Sequence, residues 1–184
     1  TEPIAGLTQM PVLRVPDECA YYKEDAGKIL LGAFEPVSKP WGPIPAGFEF
    51  DQLPEDFDHF EPILEAAVNR IPMLGEAGIH TFFNGPESFT PDDAYHLGRA
   101  PEMDNVWVAA GFNSIGIQSA GGAGMALAQW MDTGEKPFDL GDVDIARMEP
   151  FQGNARYLRD RVSETLGLLY ADHFPYRQKA TARG

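Results

Sequence analysis

Cysteine is nearly absent from this sequence: Cys19 stands alone among 184 residues. That excludes an internal disulfide and any site built on a cysteine cluster, and it suits a reducing compartment. Cys19 itself reads as a small, partly buried hydrophobe. Positive charge is scarce too, with 14 Lys and Arg against 28 Asp and Glu and a formal net charge of -14. Such a balance repels phosphates, which excludes nonspecific binding to nucleic acid or to an anionic membrane. No apolar run is long enough to span a bilayer. The opening Thr1-Glu2-Pro3-Ile4 has neither a basic region nor an apolar one, so no signal peptide is expected there. His59, His80, His96 and His173 are scattered without ligand spacing, and no metal site is expected.

What remains is ordinary globular material, 43% hydrophobic and 23% charged. The length suits one domain with a real core, or a small domain with an appendage. Residues 1–10 read as the end of a strand entering a loop, so the chain is expected to be an excerpt of a longer protein.

Residues 19–23 and 28–34 are strand-like runs joined by Glu24-Asp25-Ala26-Gly27, the pattern of a hairpin. Residues 35–54, rich in Pro and Gly, read as a long surface loop. Asp58 is expected to cap a helix whose apolar face carries Phe60, Ile63, Leu64, Ala67, Val68 and Ile71, with Pro62 in its first turn. Pro72 and Gly75 end it. Further strand-like stretches run over 78–84, 94–98 and 105–110. The last, apolar throughout, reads as a strand buried on both faces. A helix follows from about Ile117 to Met131, with Ile117, Ala120, Gly124, Leu127, Ala128 and Met131 on one side. A final helix from about Asn154 uses Tyr157, Leu158, Val162, Leu166 and Leu169, and the basic tail after Pro175 reads as a linker.

The segment from 84 to 131 carries the chemistry. Gly121, Gly122 and Gly124 each cost about 1 kcal/mol of helix propensity against alanine. Such a helix serves either close packing or the close approach of a ligand to its backbone. Its N-terminus near 113–116 presents unpaired N–H groups and the positive end of the dipole. A ligand that becomes anionic on reduction, as a flavin does, would be stabilised there. A phosphate cradle fits poorly, because neither a Gly-x-Gly-x-x-Gly nor a Lys-Ser/Thr pair is present at the turn.

Three runs resemble the dimethylglycine dehydrogenase and sarcosine dehydrogenase family: Asn84-Gly85-Pro86-Glu87-Ser88-Phe89-Thr90-Pro91-Asp92, the stretch from Trp107 to Ser114, and Gly116 to Gly124 with its Ala-Gly-Gly-Ala-Gly. The resemblance reaches forward through Gly134-Glu135-Lys136-Pro137 and Val143-Asp144-Ile145-Ala146-Arg147. It reaches back to Leu31-Gly32-Ala33-Phe34 and Lys39-Pro40-Trp41-Gly42.

The resemblance implies a fragment of an FAD-linked reductase fold of class α+β, with a mixed, largely antiparallel sheet covered by helices. It divides the chain into a substrate-binding sheet over 1–110, a flavin-contacting turn and helix over 111–150, and a helix and linker over 151–184. The linker would lead towards a downstream domain that takes tetrahydrofolate. The family's dinucleotide-binding start and its upstream histidines are absent, so the isolated fragment is expected to hold FAD poorly and to be inactive. Carried over residue by residue, Asn113, Ser114, Ile115, Gly116, Ile117 and Gln118 match the flavin-contacting turn, and Thr90 and Asp92 the flavin edge. For the last two, ordinary Thr-Pro-Asp turn chemistry is the alternative. Tyr21 matches an active-site tyrosine; from the residues alone it is equally a cross-strand aromatic.

The implied reaction moves a hydride from the N-methyl group of a small amino acid to FAD, with electron-transfer flavoprotein or oxygen as the final acceptor. The implied location is the cytoplasm, or the mitochondrial matrix in a eukaryote. This chain departs from the family where Asp93 follows Asp92, since many relatives have glycine there, and at Ser119, where dimethylglycine dehydrogenases often have histidine. Two other readings compete: a catalytically silent regulatory relative acting through protein contacts, and a stand-alone module for a small ligand.

Overall fold

Alternation sets the first sheet. β2 (Ala20–Asp25) buries Ala20 and Tyr22 and turns Tyr21 and Lys23 to the other side. It pairs antiparallel with β3 (Lys28–Ala33), and Asp25 faces Lys28 across the turn. The two turn residues, Ala26 and Gly27, both have positive φ, at 51° and 76°. That is the backbone of a type I′ hairpin, whose twist matches that of the strands. β1 (Leu13–Val15) completes the order β1-β2-β3. Helix α1 (Phe57–Arg70) packs Ile63 and Ala67 with Ala20, Tyr22, Ile29 and Leu74 into one core.

The computed structural model describes residues 1–181, which form two compact units. The first comprises residues 1–36, 41–86 and 170–177; the second comprises 37–40, 87–169 and 178–181. Positions 182–184 of the expected linker lie outside the described residues.

In the second unit β4 (His96–Arg99) pairs antiparallel with β5 (Trp107–Ala110). Helix α2 (Gly116–Thr133) brings Ala123 and Ala126 against Leu97 and Leu140. α2 stops at Gly134, whose φ of 77° lets its N–H reach the Trp130 carbonyl at 2.9 Å. Helix α3 (Ala155–Tyr170) starts where the Asn154 side chain accepts the N–H groups of Arg156 and Tyr157. The class is α+β, with antiparallel sheets and three helices among the described residues.

Several expectations are corrected. Asp56, not Asp58, caps α1, accepting the His59 N–H at 3.1 Å. The helix gains Phe57, which packs on Phe82 at 4.3 Å. Pro62 consequently falls inside the helix rather than in its first turn. Residues 78–84 form no strand. Their backbone makes single bonds, Gly78 with Glu2 and Asn84 with Leu53, and no ladder. The strands divide between two sheets instead of sharing one.

β5 is not buried on both faces, since Ala109 and Ala110 are exposed. α2 turns Ala123, Ala126, Leu127 and Trp130 inward and leaves Ile117, Ala120, Gly124, Ala128 and Met131 in the open. On α3 the buried side carries Arg161 and Thr165 beside Leu166, whereas Leu158 is exposed.

Candidate functional site

The turn between β5 and α2 is held in an unusual backbone shape. Gly111, Asn113 and Ser114 all have positive φ, at 65°, 51° and 63°. Glycine and asparagine adopt that region at small cost, but serine does so rarely. At Gly111 an added methyl would also stand 2.6 Å from the Thr90 methyl. Asn113 is 1% exposed, and its side chain is spent inside the protein. Its Oδ1 accepts the Thr90 backbone N–H at 2.7 Å, while its Nδ2 donates to Thr90 Oγ1 at 3.2 Å. The Asn113 backbone N–H donates to the Ser88 carbonyl at 3.2 Å. The 88–90 strip and the turn are thereby fastened together.

Two arginines fasten the same strip from behind. Arg147 donates to both carboxylate oxygens of Asp92, at 2.7 and 3.0 Å, and to the carbonyls of Ala94, Tyr95 and Asp144. Arg161, 3% exposed, donates from Nε to the Pro91 carbonyl at 2.8 Å and pairs with Glu164. Burial pushes the Asp92 carboxyl up, but the Arg147 hydrogen bonds and charge, with the Ala94 N–H and Thr90, outweigh it and hold it below its ordinary value. Beside this pair, burial and the Arg147 charge push His96 down against the pull of Asp92. Its Nδ1 is buried without a hydrogen-bond partner.

The helix start is left open. Ile115 occupies the N-cap and offers no side-chain acceptor, and no acidic residue sits in the first turn. The N–H groups of Gly116, Ile117 and Gln118 have no acceptor within the helix. Ser119 is the first to bond back, to Ile115, at 3.1 Å. Ser114, Ile117 and Gln118 are exposed, Ile117 completely. A methyl added at Gly121, Gly122 or Gly124 would meet nothing within 4 Å. Packing within the described residues therefore does not account for these glycines.

Of the residues singled out from sequence, Asn113 to Gln118, Thr90 and Asp92 come together in the second unit. Asn113, Thr90 and Asp92 make the frame, and Ser114, Ile117 and Gln118 are exposed beside it, the Ser114 hydroxyl donating to Glu87 at 2.8 Å. Sequence reasoning gave no role to Arg147 or Arg161. A usable signal existed for Arg161, which stands four residues from both Tyr157 and Thr165 on the helix side that becomes buried.

Tyr21 belongs to the first unit. It faces Arg14 on β1 and Gly32 on β3 in register, on the side of the sheet away from the core. Its ring lies over Gly32, where any Cβ would collide with it. Phe34 stands 5.1 Å from Tyr21 and stacks on Tyr170 at 3.6 Å. Among the described residues no helix is long and apolar enough to cross a membrane.

A helix opened by unspent amides, behind a rigid turn, fits a large ligand with an anionic edge. Residues 1–130 match the model for FAD dependent oxidoreductases, and residues 133–184 match the FAD dependent oxidoreductase central domain. The chain is 42% identical over 180 residues to a 4-methylaminobutanoate oxidase (formaldehyde-forming) of Paenarthrobacter nicotinovorans, covering 97% of this chain and 22% of that protein. It is 33% identical to mitochondrial sarcosine dehydrogenase of Mus musculus, over 100% of this chain and 20% of the relative. It is 37% identical over 161 residues to the mitochondrial pyruvate dehydrogenase phosphatase regulatory subunit of Mus musculus, covering 87% of this chain and 18% of that protein. The chain thus spans about a fifth of the length of the relatives it matches. With the family model covering 130 of its 184 residues, this chain belongs to the FAD dependent oxidoreductase family.

Proposed function

We propose that the full-length protein oxidises the N-methyl group of a small amino acid of the sarcosine or dimethylglycine type. The observation that carries this reading is the uncapped start of α2, with Ser114, Ile117 and Gln118 exposed around it. FAD, when bound, supplies the two-electron acceptor for the hydride that leaves the methyl carbon. The substrate becomes an iminium, which water or tetrahydrofolate then takes up. Electron-transfer flavoprotein or oxygen is the proposed outlet for the electrons.

The chain's own contributions are positional and electrostatic. The amides of Gly116, Ile117 and Gln118 offer hydrogen bonds to the ligand edge that gains charge. Asn113, Thr90 and Asp92 hold that turn from inside, with Arg147 and Arg161 behind them. Tyr21 presents a phenol to the substrate amine, which must be neutral to lose hydride. The proposed location is the cytoplasm, or the matrix if the source is eukaryotic, in line with the mitochondrial names of the mammalian relatives.

The likeness to a phosphatase regulatory subunit favours a second reading, in which the fold is kept for protein contacts alone. One experiment separates the two. A purified full-length protein that is yellow, and that bleaches without oxygen on addition of sarcosine or dimethylglycine, is an oxidoreductase. A colourless protein that takes up no flavin is a regulator.

A further inference from the structure

The outward face of the first sheet carries a cation, Arg14, that no carboxylate among the described residues neutralises. Arg14, on β1, is the register partner of Tyr21 on β2, and Tyr21 in turn faces Gly32 on β3. Across one row, side chains of paired residues stand about 5 Å apart. Arg14 is exposed, and among the described residues no carboxylate partners it. In a chain of net charge -14 such a group is uncommon company for a tyrosine.

The guanidinium is nevertheless held in place. One Nη donates to the Tyr170 carbonyl at 2.6 Å. The group lies 5.5 Å from the centre of the Phe34 ring and 5.1 Å from that of Tyr170. Those two rings are stacked on each other, and Phe34 touches Tyr21. Aromatic neighbours strip water from one side of the cation and fix its plane. Of its five N–H donors, one is committed to Tyr170, so a bidentate edge remains for an anion. Because the side chain is already ordered, little entropy is lost when an anion docks.

We infer that Arg14 is the carboxylate anchor of the substrate, gripping the acid end of an N-methyl amino acid beside Tyr21. The inference rests on the function proposed above, because only that reading supplies a substrate with a methylated amine and a carboxylate. Net negative charge makes a local cation necessary, since an amino-acid carboxylate would otherwise be repelled. Tyr21 and Arg14 then divide the substrate between them, the phenol for the amine and the guanidinium for the acid. The rings of Phe34 and Tyr170 position Arg14 rather than touch chemistry.

The test compares N-methylglycine with N-methylglycinamide, which keeps the amine and lacks the anion. Both are given to the full-length, FAD-loaded protein and to Arg14→Gln and Arg14→Lys variants. Arg14→Gln should lower kcat/KM for the acid by roughly 10- to 100-fold, mostly through KM, and leave the amide unchanged. Arg14→Lys should recover part of the loss, and calorimetric binding of the acid should follow the same order. A poorly folded variant loses both substrates equally, so the acid-to-amide ratio reports the contact itself. An unchanged ratio in Arg14→Gln, with the unaltered protein active, overturns the anchor and leaves the oxidoreductase reading standing. If no N-methyl amino acid bleaches the unaltered protein, both fall together.

Discussion

Asn113 and Thr90 hold each other at two points, with the Asn113 Oδ1 taking the Thr90 amide at 2.7 Å and its Nδ2 reaching Thr90 Oγ1 at 3.2 Å. Thr90 lies in the 84–92 run, while Asn113 lies in the turn into α2. One buried side chain therefore couples the loop to the helix start. The family resemblance implies a flavin contact for Asn113. Its hydrogen-bond partners make it the fastener of the turn into α2.

Replacing Asn113 separates two costs. Asn113→Gly keeps the left-handed backbone but strands the buried Thr90 amide, which should destabilise the protein by about 1–3 kcal/mol. Asn113→Ala adds the left-handed penalty for a Cβ, a further 1–2 kcal/mol or so. Urea unfolding of the two variants checks the order. Flavin retention in the full-length protein should fall in parallel.

Gly32→Ala tests the place of Tyr21. A methyl at position 32 overlaps the Tyr21 ring, so the ring must swing off the strand at a cost of about 1–3 kcal/mol. Turnover of an N-methyl amino acid should drop, as it should in Tyr21→Phe. The double variant should lose less than the sum of the two, because both changes act through one side chain. Fully additive losses would assign Gly32 a role apart from Tyr21.

Acid should loosen the second unit in two stages. The folded-state pKa of His96 is pushed below its ordinary 6.5 by burial and by Arg147. A depressed value means stability that is present above pH 6.5 and lost as pH falls through the folded value. Protonation would also charge a ring whose Nδ1 is buried without a partner. Asp92 is held below its ordinary 3.8, so its ion pair with Arg147 is lost at still lower pH. Unfolding midpoints measured from pH 7.5 to 5 should decline in the unaltered protein and stay flatter in His96→Gln. Equal slopes would contradict this.

The readable parts of the fold are those where local chemistry and packing agree. The Ala26-Gly27 turn, the α1 face and the Gly134 stop each follow from residues within one element. The side that α2 buries was not readable, because small and apolar residues surround that helix and periodicity cannot choose among them. The inward side includes Trp130, which packs edge-on against Trp107 of β5 at 5.3 Å, a contact between two elements that periodicity within the helix does not supply. Arg147 and Arg161 escaped for a similar reason, since their partners at Asp92 and Pro91 lie 55 and 70 residues away. Asp93 shows the reverse: its φ of 60° puts it in the left-handed region, which aspartate enters more easily than most residues, yet nothing in the flanking sequence requires that shape.

Gln118→Glu tests most directly whether the first-turn amides of α2 meet the flavin edge that gains charge. A carboxylate in that turn complements the helix dipole, so the protein should unfold no more easily and gain about 0.3–1 kcal/mol. The same charge opposes an anionic ligand edge. In the full-length protein the flavin midpoint potential should become more negative, with stability kept or raised. A potential equal to that of the unaltered protein, at equal flavin content, would contradict it.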